Sequence, residues 1–164
     1  MAILDEEIVE QWLNQHGFFT MRGIKCGVDE IDLLALKPSK TKPEFWHVEV
    51  QVSFRPVGYI GGDRNAKRRN KEQIEDGVAK WVEKKFTSKK KKEKRESIVS
   101  GAKWKYVLVC ANLKDETEIQ IMDRLGVKVY RYSDILGDVV NSRGHQTSSI
   151  ANNIVEILKY YDGE

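Results

Sequence analysis

Two strand-like runs that carry acids where a buried strand normally has none constrain this chain more than any other feature. Residues 27–36 read Gly-Val-Asp-Glu-Ile-Asp-Leu-Leu-Ala-Leu, and residues 45–54 read Phe-Trp-His-Val-Glu-Val-Gln-Val-Ser-Phe. In the first, Asp32 is bracketed by Ile31, Leu33, Leu34 and Leu36, a run apolar on both faces as in a central strand. In the second, Trp46, Val48, Val50, Val52 and Phe54 alternate with His47, Glu49, Gln51 and Ser53. Side chains alternate along a strand, so the polar set shares one face. The connection 37–44, Lys-Pro-Ser-Lys-Thr-Lys-Pro-Glu, predicts an antiparallel hairpin. Such a pairing brings Asp32 beside Glu49, with Gln51 one strand period further on, roughly 7 Å along the strand.

A carboxylate on a buried strand must be ion-paired, hydrogen-bonded or bound to a metal, because an isolated buried charge is very costly. Two adjacent carboxylates repel, and a divalent cation relieves that repulsion. Hard oxygen ligands suit Mg²⁺ or Mn²⁺ rather than zinc. The plainer alternative places Asp32 at a strand end and pairs Glu49 with a lysine or arginine. The residues alone leave both open.

With 164 residues the chain is expected to form one domain, 1–164, with a substantial core. No run is apolar enough to span a membrane and no leader-like segment opens the chain, so the expected location is the cytoplasm, with no membrane partner. Cys26 and Cys110 lack metal-ligand spacing and agree with a reducing compartment. The net charge of +3 hides an asymmetry: residues 64–95 hold 14 Lys or Arg against 5 Asp or Glu. A concentration of positive charge attracts polyanions. Within it, the tetralysine 89–92 taken alone reads as a solvated, mobile loop.

The remaining pattern predicts an amphipathic helix over 3–15, with Gly17 as its stop and Glu6, Glu10 and Leu13 beside the apolar stripe. A strand over 18–24 follows. The glycine-rich 55–64 lacks the spacing of a phosphate-binding loop. A long helix from 65 or 66 to about 86 has its core stripe on Ile74, Val78, Trp81, Val82 and Phe86, and strand 103–111, helix 115–125 and strand 127–132 follow it. That strand–helix–strand order suggests a right-handed parallel crossover. A short helical turn at 133–136, a polar loop over 141–149 and a closing helix over 149–161 complete the chain. His47, on the face of Glu49, is expected to be a partly buried histidine with satisfied hydrogen bonds rather than a ligand.

An acid on an N-terminal helix, then Gly17-Phe18, then Asp29-Glu30-Ile31-Asp32-Leu33-Leu34-Ala35, then Val48-Glu49-Val50-Gln51 resembles the PD-(D/E)xK nuclease superfamily. In pattern it is most like the archaeal Holliday-junction resolvases and related small bacterial proteins. The resemblance implies a restriction-endonuclease-like α/β fold, a mixed sheet flanked by helices in the order α-β-β-β-α-β-α-β with a C-terminal helix. It also implies Mg²⁺- or Mn²⁺-dependent hydrolysis of phosphodiester bonds in nucleic acid, expected to be DNA. Carried over, Asp32 and Glu49 with the Val50 carbonyl would hold the metal, and Glu6, with Glu10 as a fallback, would be the helix glutamate. Arg64, Lys67, Arg68, Arg69 and Lys71 would contact the nucleic-acid backbone. The sequence departs from the family at Gln51, where the motif has lysine. A neutral amide can only donate and accept hydrogen bonds, so a nucleic-acid-binding module without catalysis is the alternative. A protein-interaction domain meeting an acidic partner is a third. The residues leave the oligomeric state open, and analogy with enzymes that cut two strands points to a two-fold homodimer.

Overall fold

The computed structural model describes residues 2–52, 70–111, 116–142 and 150–162. A five-stranded mixed sheet in the order β1-β2-β3-β4-β5 lies between helices, so the fold is α/β as expected. Helix α1 (Ala2–Gln15) leads into β1 (Phe19–Cys26), β2 (Asp29–Lys37) and β3 (Glu44–Gln51). These pair antiparallel, β1 with β2 and β2 with β3. Then come α2 (Lys71–Val82), a π-helical turn (Glu83–Thr87), α3 (Lys89–Ile98), β4 (Trp104–Cys110), α4 (Glu116–Arg124) and β5 (Val127–Arg131). Strands β4 and β5 pair parallel, as the strand–helix–strand pattern predicts, and β4 also pairs parallel with β3. Helices α5 (Tyr132–Asn141) and α6 (Ile150–Asp162) close the chain.

Each face of the sheet has its own core. Val9, Trp12 and Leu13 of α1 pack with Leu33, Val48, Val107 and Val109 beneath α5 and α6. On the other face Val78, Val82 and Phe86 cover Leu108 and Cys110, joined by Ile121 and Met122 of α4. The Val78–Val82–Phe86 spacing is one helical stripe, and Trp81 stays with this core through its edge contact to Phe86.

Three expectations are corrected. The tetralysine is not a loop: residues 89–92 form the first turn of α3, which is held to the sheet through Lys91 and Arg95, both buried. The predicted long helix ends its regular part at Val82 and widens into the π turn, a phase change that no periodicity count over the segment reveals. The short turn at 133–136 belongs to α5, ten residues long, because Tyr132, Ile135 and Val139 give it a buried stripe. The glycine-rich 55–64 lies outside the described residues; of the polar loop expected over 141–149, Asn141 ends α5 and 143–149 lie outside the described residues. Cys26 and Cys110 are both buried thiols with no disulfide. Among the described residues no helix is long and apolar enough to cross a membrane.

Candidate functional site

The site grows from the β2–β3 pairing. The register runs from Lys37↔Glu44 to Leu33↔Val48, so one step further sets Asp32 against Glu49. There the ladder ends: the Asp32 carboxylate takes the Val50 N–H at 2.8 Å in place of a strand partner. The other neighbour of Asp32 yields as well. The β1–β2 register passes from Arg22↔Leu33 to Ile24↔Ile31 and omits Gly23 with Asp32. Gly23 has φ +64°, a conformation that side-chain-bearing residues rarely adopt. Ile31 and Leu34 then share one apolar cluster although they are three positions apart. Alternation lapses at Asp32, which frees its carboxylate from the regular face pattern.

Glu49 is 1% exposed and heavily engaged. Its Oε1 accepts from Lys91 Nζ at 2.7 Å and from His47 at 2.9 Å, and its Oε2 accepts from Lys85 Nζ at 2.9 Å. The direction of the histidine bond follows from its other end. Arg95 Nη1 lies 2.8 Å from His47 Nδ1, and a guanidinium can only donate. Nδ1 therefore accepts, the proton sits on Nε2, and Nε2–H donates to Glu49. Burial pushes the imidazole down to about 4, so it is neutral at pH 7. Burial alone would raise the Glu49 carboxyl, but the His47 hydrogen bond and the Lys85 and Lys91 charges outweigh it and hold the group below its ordinary value.

Lys85 and Lys91 come from segments whose geometry was not legible in the sequence. The π turn presents Lys85 next to the buried Phe86. Arg95 Nη1 also donates to the Phe86 carbonyl at 2.7 Å, so α3 fastens that wide turn while it orients His47. Lys91 and Arg95 are four apart and thus share a helix face. The i, i+4 pair of basic residues was a signal available in the sequence. What pointed away from it was the surrounding lysines.

The Asp32 side of the site differs. Among the described residues Asp32 has only the Val50 N–H as partner, and burial and the Glu49 charge raise its carboxyl to about 6. Glu6 of α1 is 8% exposed, with no hydrogen-bond or ion-pair partner among the described residues. Burial, then the Asp32 and Glu30 charges, raise it to about 7. Glu10 is diverted to β1, accepting from Thr20 at 2.8 Å and pairing with Arg22, and Glu7 also pairs with Arg22. Of the two helix glutamates, Glu6 is the one that senses Asp32.

The structure thus brings Glu6, Asp32, Glu49 and Val50 together, with the half-buried Gln51 one step beyond on β3, paired with Cys110. Lys71 opens α2 and is exposed. Arg64, Lys67, Arg68 and Arg69 lie outside the described residues. His47 is fully buried rather than partly so, and it is satisfied by Glu49 and Arg95 as a non-ligand histidine should be.

Whether the residues fit a divalent cation is a matter of donors and charge. Among the described residues no three His, Cys, Asp or Glu side chains converge as a ready ligand set. Among the described residues Glu49 Oε1 takes two donors and Oε2 one, and Asp32 keeps one oxygen without a partner. Burial first, and neighbouring acids second, raise the Asp32 and Glu6 carboxyls, and Lys85 and Lys91 offset only part of the rise at Asp32. What that corner offers a hard cation is carboxylate oxygen alone, one atom on Asp32 and Oε2 of Glu49.

No protein-family model matches this chain, and no curated protein does. A solved structure described as a protein of unknown function, AF1548, aligns over 95% of this chain and 79% of its own with a TM-score of 0.47 and 14% identity. A likeness at that score carries no argument.

Proposed function

We propose that this protein is a metal-dependent phosphodiesterase acting on nucleic acid, with Lys85 supplying the cation that position 51 lacks. The observation that carries the reading is the meeting of Asp32, Glu49 and Lys85 at the end of the β2–β3 ladder, with Glu6 close enough to raise its carboxyl through Asp32. Lys85 is 32% exposed, so it is accessible where Lys91 is sealed. Its ammonium is held protonated: burial alone would lower its pKa, but the Glu49, Asp32 and Glu6 charges raise it.

In this reading Asp32, Glu49 Oε2 and the Val50 carbonyl would hold Mg²⁺ or Mn²⁺. When bound, that ion supplies an activated water and neutralises charge on the scissile phosphate. Lys85 swings from Glu49 to a non-bridging phosphate oxygen and offsets charge that builds there. Glu6, half protonated near neutral pH, accepts a proton from the attacking water. Lys91 and the His47–Arg95 pair keep Glu49 ionised and oriented throughout. DNA is the expected substrate, and the restriction-endonuclease-like arrangement is part of the proposal.

A non-catalytic binding module is the second reading, and the two donors on Glu49 Oε1 favour it. The two separate on incubation with duplex, branched DNA and RNA in Mg²⁺ or Mn²⁺. The proposal expects cleavage that Asp32→Ala removes, and a Mn²⁺-dependent rise in melting temperature in the wild type that Asp32→Asn lacks. Salt-sensitive binding without cleavage would establish the module instead.

A further inference from the structure

Helix α3 is built against its own local preferences. Its first turn is Lys89-Lys90-Lys91-Lys92, with no acid there and no side-chain cap from Ser88. Cations at a helix N-terminus oppose the dipole, and like charges four apart, such as Lys90 and Lys94, repel. The helix holds because Lys91 and Arg95 tie it to Glu49 and His47. Those ties set which way the helix faces: with Lys91 and Arg95 turned inward, Lys89 and Glu93 face out, Lys90 and Lys94 lie on one flank and Lys92 on the other. Lys89 has a loose pairing with Glu93 at 3.8 Å. Among the described residues Lys90, Lys92 and Lys94 have no acid within ion-pair distance. No large apolar side chain is exposed on α3, so nothing there offers the buried anchor that a protein partner needs.

We propose that Lys89, Lys90, Lys92 and Lys94 form a docking rail for the sugar-phosphate backbone of a nucleic acid, beside the Asp32–Glu49 site to which α3 is tied. The identity of the polyanion rests on the phosphodiesterase reading; the rail itself rests on the geometry of α3. Lysines without apolar neighbours bind phosphates as point charges, independent of sequence. The rail therefore sets affinity and position rather than base preference. It also assigns a role to the tetralysine apart from the basic residues between 64 and 71.

The test is binding, kept apart from cleavage by EDTA. The affinity of a short fluorescent DNA duplex is measured against salt for the wild type and for Lys89→Gln/Lys90→Gln/Lys92→Gln. A second triple, Lys40→Gln/Lys42→Gln/Lys103→Gln, removes equal charge from exposed positions elsewhere. The rail predicts about a tenfold loss of affinity at 0.1 M salt for the α3 triple. It also predicts a salt slope shallower by about two to three, with helicity unchanged and little effect of the control triple. Equal effects of the two triples, no effect of either, or equally tight lysine-dependent binding of polyglutamate would overturn it. Absence of cleavage in Mg²⁺ with the slope difference intact would count against the phosphodiesterase reading and leave the rail standing.

Discussion

Glu49 and Asp32 sit on neighbouring strands, yet the two sides of the site they share have opposite electrostatics. On the α3 side, two lysines and a histidine converge on Glu49 and keep it ionised despite near-complete burial. On the α1 side, Asp32 accepts one backbone N–H, Glu6 has no hydrogen-bond or ion-pair partner among the described residues, and both carboxyls are raised, first by burial and then by neighbouring acids. The contrast separates two tasks. The α3 side fixes a charge in place; the α1 side keeps two acids raised by burial and by neighbouring carboxylates, with Lys85 and Lys91 offsetting only part of that rise at Asp32.

The largest expected effect falls on the fixed side. Lys91→Met leaves Glu49 buried with one cation fewer and should destabilise the fold by about 3 kcal/mol in urea unfolding. A loss under about 1 kcal/mol would show that the buried pair is not what pins α3.

The α1 side should respond with the opposite sign. Without metal, Asp32→Asn should stabilise the protein at pH 8 by about 2 kcal/mol, since it removes a charge the site disfavours. The pH dependence follows from the same groups. Native Asp32 and Glu6 keep protons up to about 6 and 7 that the unfolded chain releases from near 4 upward, so their contribution to stability falls as pH rises through that window. His47 works in reverse, because the unfolded chain binds a proton below about 6.5 that the native ring refuses until about 4. Stability that rises from pH 4 to about 6.5 and then levels off in Asp32→Asn/Glu6→Gln, but not in the wild type, is the expected outcome of a melting series. The smallest effect belongs to Lys85→Met, because Lys85 is 32% exposed and Lys91 still pairs Glu49; the loss of stability should be about 1 kcal/mol.

Much of this arrangement was legible in the chain. Alternation at Trp46–Gln51 and the apolar run around Asp32 were enough to place the two acids side by side, because register in a hairpin with a buried face has little freedom. Strand pairing and the β4–α4–β5 crossover followed from pattern in the same way. The partners of Glu49 were not legible. They arrive from a π turn, which breaks the 3.6-residue count, and from a lysine run whose one buried member looks like its neighbours. Gln51 pointed to a missing cation, but only the fold could say that Lys85 stands near Glu49.

Lys85 is therefore where the account is most directly tested. Cleavage of DNA in Mg²⁺ is compared for the wild type, Lys85→Met, Gln51→Lys and the double variant Lys85→Met/Gln51→Lys. The account predicts about a hundredfold loss in Lys85→Met, equal or higher activity in Gln51→Lys, and recovery in the double variant, where the cation returns on β3. Full activity in Lys85→Met, or a folded double variant that stays inactive, would contradict it.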